Sequence, residues 1–246
     1  MFTPRPTELP PSGTTPQILG MEFYTERDAA HFRGREQAIA ATIDLVSVNP
    51  VSLLVGDSGI GKTSLVQAGL FPTLKDRGWS VASCRPLDDP DRNIAASVWA
   101  QLLSNPASSS SSVIETVGII SSACSPRPVL IVVDQFEDAI PYLSTDRVSG
   151  LLNMLARVHG GAFPNVHILL CYRGDADPKV GPYWQTISGS PTGLPRHYLT
   201  ALTLEAGRSI VSELLASRMT ADQTDLANTL ADDLTQESKA LNEHGI

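Results

Sequence analysis

Basic charge is in short supply in this chain of 246 residues: 18 lysines and arginines stand against 26 aspartates and glutamates, a formal net charge of −8. That balance speaks against a broad electrostatic footprint for nucleic acid. Cysteine is scarcer still. The three residues Cys84, Cys124 and Cys171 are far apart and form no Cys-x-x-Cys pair, which predicts buried free thiols in a reducing compartment. No apolar run approaches the ~20 residues of a membrane-spanning helix. The N-terminus shows no basic start followed by an apolar stretch, so the cytoplasm is the expected location and no membrane partner is expected. The histidines His31, His159, His167, His197 and His244 lack metal-ligand spacing and read as structural or solvated residues.

What is present is an alternation. Residues 1–18 hold Pro4, Pro6, Pro10, Pro11 and Pro16 among Ser, Thr and Gly, and the arm 1–21 is expected to be disordered. Arg35 to Val46 reads as a helix with Ala38, Ile39, Ile43 and Val46 on one face. Five strands are predicted at Val51–Val55, Trp79–Cys84, Val129–Val133, Val166–Cys171 and His197–Thr200, with helices at 62–76, 91–104, 147–158 and 204–217. Near-continuous apolar strands separated by helices predict an α/β fold, a parallel sheet covered on both faces. Asn105–Ser112 reads as a surface loop. Over 222–243, Leu226, Leu230 and Leu234 recur at four-residue spacing on an otherwise polar helical pattern, a face that must pack on something.

The strand Val51–Val55 runs into Gly56-Asp57-Ser58-Gly59-Ile60-Gly61-Lys62-Thr63, with Ser64 opening the next helix. Strand, Gly-x-x-x-x-Gly-Lys-Thr loop and helix together form a cradle for the phosphates of a nucleoside triphosphate. The glycines let backbone N–H groups turn inward, and the helix N-terminus adds partial positive charge. Lys62 reaches the terminal phosphates and Thr63 supplies a hydroxyl to Mg²⁺. The sequence contains no Asn-Lys-x-Asp, so nothing selects guanine. It contains no Leu-Ser-Gly-Gly-Gln, which argues against a transporter-type ATPase.

Val129–Val133 ends on Asp134. Ligands of open α/β sheets sit outside the carboxyl ends of the strands, so Asp134 is expected beside the phosphate loop as a second Mg²⁺ group, directly or through water. Hydrolysis needs a group that accepts a proton from water. Gln135 cannot do so; Glu137 and Asp138 can, and Glu137 is the preferred base. Arg173, just past the fourth strand, is placed to contact the γ-phosphate, the alternative being an ion pair with a carboxylate.

Taken in order, these residues resemble the STAND class of signalling NTPases, specifically the bacterial novel STAND branch, related to the NACHT and NB-ARC switches. Phe23 to Glu36 looks like the branch's apolar-aromatic-Gly-Arg-Glu segment, which implies that Gly34 and Arg35 lie beside the adenine. Arg85-Pro86-Leu87-Asp88-Asp89-Pro90 resembles its Arg-Pro-x-Asp-Asp-Pro turn. Asp134-Gln135-Phe136-Glu137-Asp138 is similar to its Asp-Gln-Phe-Glu-Glu Walker B extension, and Tyr172-Arg173-Gly174-Asp175 to its Leu-Arg-Ala-Asp sensor segment. Ala201-Leu202-Thr203 departs from the branch's Pro-Leu-Thr at the start of the lid, and Gly193-Leu194-Pro195 mimics its Gly-x-Pro motif but precedes the lid helices.

The resemblance implies a P-loop NTPase core over 22–202 with strand order 5-1-4-3-2. A partial helical lid over 203–246 would stop ahead of the Gly-x-Pro motif that Asn242 to Ile246 leads towards. It implies ATP or ADP and Mg²⁺ as ligands, slow hydrolysis, and a switch that controls self-association in bacterial signalling or antiphage defence, with sensor and effector domains on a longer protein. Two other functions compete: a nucleotide-gated scaffold without turnover, and an AAA-type remodelling ATPase.

Overall fold

The computed structural model describes residues 23–103, 112–143, 148–203 and 206–210. The chain divides into two units. One is Phe23–Ala201; the other combines Met1–Glu22 with Leu202–Ile246. Of the second, residues 206–210 are helical, and Thr203 caps that turn by accepting the Ala206 N–H on its hydroxyl at 3.1 Å. The expected arm, most of the lid and the leucine face at Leu226, Leu230 and Leu234 lie outside the described residues.

Within Phe23–Ala201, five strands form one sheet: β1 Val51–Val55, β2 Ser80–Cys84, β3 Val129–Val133, β4 Val166–Tyr172 and β5 Arg196–Tyr198. Their spatial order is β2-β3-β4-β1-β5, and every pairing is parallel. The order expected from the resemblance is borne out. Alternate side chains go to opposite faces, so neighbouring residues serve different cores. Leu53, Ile131 and Leu170 face one apolar cluster and Leu54, Val132 and Leu169 face the other. Both faces being covered explains why β1 and β3 are buried along their whole length.

The helices are α1 Glu36–Val48, α2 Lys62–Ser64, α3 Phe71–Asp76, α4 Pro90–Leu102, α5 Val113–Cys124, α6 Ser149–His159 and α7 Asp177–Ser188. The single helix predicted over 62–76 is interrupted: between α2 and α3 the backbone takes π-helical spacing over Leu65–Leu70. Pro72, in the first turn of α3, has no N–H to continue the α ladder, and the wider turn absorbs the break. Gly69 within it lies so close to α1 that a Cβ would stand 2.6 Å from the Ile39 side chain.

Two helices went unpredicted. The N-terminus of α5 carries a capping box: the Ser112 hydroxyl accepts from the Glu115 N–H at 3.2 Å, and the Glu115 carboxylate accepts from the Ser112 N–H at 3.0 Å. Ser112 therefore ends the expected loop and begins a helix. In α7 the prolines Pro178 and Pro182 disguise the pattern, yet Pro178 occupies the first turn and Pro182 faces solvent, while Val180 and Trp184 supply a buried i, i+4 pair. Cys84, Cys124 and Cys171 are free and buried, as expected. Among the described residues no helix is long and apolar enough to cross a membrane.

Candidate functional site

The phosphate loop leaves β1 with Gly56 pressed against the end of the sheet. A Cβ at Gly56 would meet the Leu199 carbonyl oxygen at 2.8 Å. Gly59 and Gly61 take φ +73° and +95° with open space around them, so conformation, not crowding, demands glycine there. The loop ends at α2, where Lys62 is nearly buried. Its ammonium donates to the carbonyls of Gly56 at 2.7 Å and Asp57 at 2.9 Å. The lysine thus spans the mouth of the cradle that Gly56 to Thr63 forms.

Thr63 and Asp134 meet across the sheet. The Thr63 hydroxyl donates to Asp134 Oδ2 at 2.7 Å. The other carboxylate oxygen accepts from the Gln135 N–H at 3.0 Å. Asp134 is 7 % exposed at the carboxyl end of β3. Two hard oxygen donors this close, opening on water-accessible space, fit a Mg²⁺ ion that keeps several waters.

Gln135 has φ +56°, a left-handed conformation that is strained for a side chain of its size. The kink turns the chain from β3 into a 3₁₀ segment, Phe136–Tyr142, that aims Glu137 back at the site. Glu137 is half-buried, and its Oε2 is buried without a hydrogen-bond partner. Burial pushes its carboxyl above the ordinary value; its own N–H, the Lys62 charge and the Arg173 N–H oppose this, and Asp138 reinforces it. Asp138 itself is exposed. Arg173, just past the end of β4, the strand that lies between β3 and β1, is bound to Asp175 at 2.7 Å with both groups largely in solvent.

Gly34 and Arg35 lie at the start of α1. Gly34 has φ +78°. The Arg35 guanidinium donates to the carbonyl of Ile60 at 2.8 Å and to that of Thr200 at 2.6 Å, tying the phosphate loop to the end of β5. Nearby, the Tyr24 N–H donates to the Ser64 hydroxyl at 3.1 Å, so Ser64 anchors the N-terminal segment. The sequence carried no signal for these backbone contacts. It also concealed a polar triangle in which Gln67 donates to the Ser83 hydroxyl at 2.9 Å and Gln101 brackets the Ser83 backbone. That triangle lines a cavity of about 570 Å³ that Thr63, Asp134, Phe23 and Arg85 share.

The structure therefore gathers Gly56, Asp57, Ser58, Gly59, Ile60, Gly61, Lys62, Thr63, Asp134 and Glu137 at the carboxyl ends of β1 and β3, with Arg173 beyond β4. Solved structures with the same fold include the Walker-type ATPase PABY2304 of Pyrococcus abyssi, at 13% identity and TM-score 0.60 over 85% of this chain and 65% of that one. The Aeropyrum pernix ORC2 protein, solved in ADPNP–ADP complexes, matches at 16% identity and TM-score 0.56, over 74% of this chain and 52% of its own. The Aeropyrum pernix ORC1 protein, solved in complex with DNA, matches at 15% identity and TM-score 0.53 over 82% and 56%. This chain thus spans about half to two thirds of their lengths. No curated protein matches it. The family described as Novel STAND NTPase 1 matches residues 19–242, and the chain accordingly belongs to that family and is a nucleotide-binding P-loop NTPase.

Proposed function

We propose that this chain is the nucleotide switch of a bacterial STAND signalling or antiphage defence protein, one that binds ATP, hydrolyses it slowly and governs self-association through the bound nucleotide. The observation that carries the hydrolytic part is Glu137: a carboxylate oxygen buried without a partner, its proton affinity raised by burial. A buried carboxylate oxygen left unmatched is uncommon, and beside a phosphate cradle it suits the removal of a proton from water.

In this reading the loop Gly56 to Thr63 and the N-terminus of α2 hold the β- and γ-phosphates. Lys62 leaves the Gly56 and Asp57 carbonyls for phosphate oxygens, a better partner for an ammonium than a neutral carbonyl. Thr63 and Asp134 hold Mg²⁺, which offsets phosphate charge when bound. Arg173 exchanges Asp175 for the γ-phosphate and so reports its presence. Gly34 and Arg35 flank the adenine side. In this reading the switch works with sensor and effector domains of a longer protein. The net charge of −8 disfavours a broad nucleic-acid footprint.

Nucleotide titration by calorimetry, with and without Mg²⁺, tests the assignment. ATP is expected to bind more tightly than GTP, and Asp134→Ala to abolish the Mg²⁺-dependent part of the affinity. Equal competition by GTP would remove the adenine reading. An unchanged Mg²⁺ effect in the variant would remove Asp134 from the metal.

A further inference from the structure

Asp134 stands between two arginine-bearing strand ends. On the β4 side, the register pairs Val133 with Leu170, so Arg173 lies beyond the row of Asp134. On the β2 side, Cys84 pairs with Val133 and the Asp134 N–H donates to the Cys84 carbonyl at 2.9 Å. The residue beside Asp134 in register is therefore Arg85, about one strand spacing away. It leaves β2 at its carboxyl end, where this class of sheet collects its ligands.

Arg85 does not neutralise its neighbour. Both Asp134 oxygens are engaged, by the Thr63 hydroxyl and the Gln135 N–H, and none of the ion pairs among the described residues includes Arg85. Arg85, exposed at the end of β2, instead lines the cavity that Thr63 and Asp134 also line. The rest of that wall offers neutral groups, the Gln67, Ser83 and Gln101 triangle among them, so Arg85 is its one basic residue. Arg173, by contrast, already holds Asp175 at 2.7 Å.

We propose that Arg85 contacts the terminal phosphate of bound ATP from this cavity and serves as the site's charge clamp in cis. The inference rests on the reading of Gly56 to Thr63 as the phosphate cradle. A guanidinium beside the metal-binding carboxylate forks onto the oxygens that gain charge as the γ-phosphoryl group departs. It has nothing to hold when only ADP is bound. Arg85 therefore discriminates triphosphate from diphosphate. The strained turn that follows, with Leu87 at φ +48° and exposed, is pinned by Asn93 through the Pro86 carbonyl at 3.1 Å and fixes where β2 ends.

The test is calorimetry on the full chain with ADP and with ATPγS, comparing wild type, Arg85→Ala, Arg85→Lys and Lys62→Ala, each checked for an unchanged melting transition. Arg85→Ala is expected to weaken ATPγS about 10- to 100-fold while leaving ADP within about twofold, with Arg85→Lys in between. Lys62→Ala loses both nucleotides. If Lys62→Ala keeps its affinity, the cradle reading itself fails. If Lys62→Ala loses binding but Arg85→Ala keeps the wild-type ratio of ATPγS to ADP, or weakens both equally, the clamp is overturned.

Discussion

The two halves of the nucleotide site are built on different terms. On the β1 side nearly every polar group is already engaged: Lys62 on two loop carbonyls, Arg35 on the Ile60 carbonyl, Ser64 on the Tyr24 N–H. On the β3 side groups are left over. Gln135 is strained and Glu137 has an unmatched buried oxygen. In the proposed function, a preassembled cradle beside an unsatisfied Glu137 would let binding and turnover be tuned separately, since strain and orphaned groups can persist only where the surrounding fold over-determines them.

The largest effect is expected on the unsatisfied side. Glu137→Gln should slow ATP hydrolysis by about 10²- to 10⁴-fold with nucleotide affinity retained, because an amide accepts no proton. In wild type the rate should fall as pH drops through the raised Glu137 value, so the acid limb of the profile should lie above the ordinary 4.5. Normal turnover by Glu137→Gln together with a dead Asp138→Asn would transfer the role to Asp138.

On the assembled side, Lys62→Ala should cost about 3 kcal/mol or more in nucleotide binding, roughly 100-fold in Kd, since a charge-assisted contact is worth about 1.5–3 kcal/mol and Lys62 makes more than one. Calorimetry on the folded variant measures it. Retained affinity would erase the contrast between the halves.

A smaller effect belongs to Arg35. Arg35→Ala should lower the urea midpoint by an equivalent of about 1–2 kcal/mol and weaken nucleotide several-fold through the loosened loop. An unchanged midpoint would show that the two carbonyl contacts contribute nothing to the loop.

The smallest concerns stability and pH. Because burial raises the Glu137 carboxyl, the fold penalises its ionised form, and stability declines as pH rises from the unfolded carboxylate value through the raised folded one. Glu137→Gln should therefore melt slightly higher than wild type at neutral pH and lose that advantage in acid. A lower melting point at neutral pH would mean that the Arg173 N–H and the Lys62 charge outweigh the cost of burial.

The same contrast explains what was legible in the sequence. The cradle could be read because it depends on local backbone chemistry: Gly59 and Gly61 need positive φ, Lys62 and Thr63 must open a helix, and β1 must precede them. The place of Asp134 beside Thr63 could be read because the carboxyl ends of the strands in an open α/β sheet lie together at one edge. Arg35 could not be seen as a clamp between Ile60 and Thr200, because its partners are backbone carbonyls with no sequence identity, far apart in the chain. The helix α5 could have been found from Ser112 and Glu115 at capping-box spacing, but the serine tract before it drew the loop assignment. In α7 two prolines that the first turn and the solvent face tolerate hid a buried Val180–Trp184 pair. The π-helical turn at Leu65–Leu70 follows from Pro72, whose effect on the ladder appears only once α2 and α3 are seen to be one rod.

The Arg35 guanidinium grips two carbonyls at once, one in the phosphate loop and one at Thr200, two residues ahead of Leu202. A planar fork of fixed width can satisfy both oxygens only while they keep one spacing, so it works as a caliper. Any displacement of Ile60 would have to carry Thr200 with it or open one jaw. Arg35 thereby ties the position of the phosphate loop at Ile60 to that of the chain at Thr200, just past the end of β5.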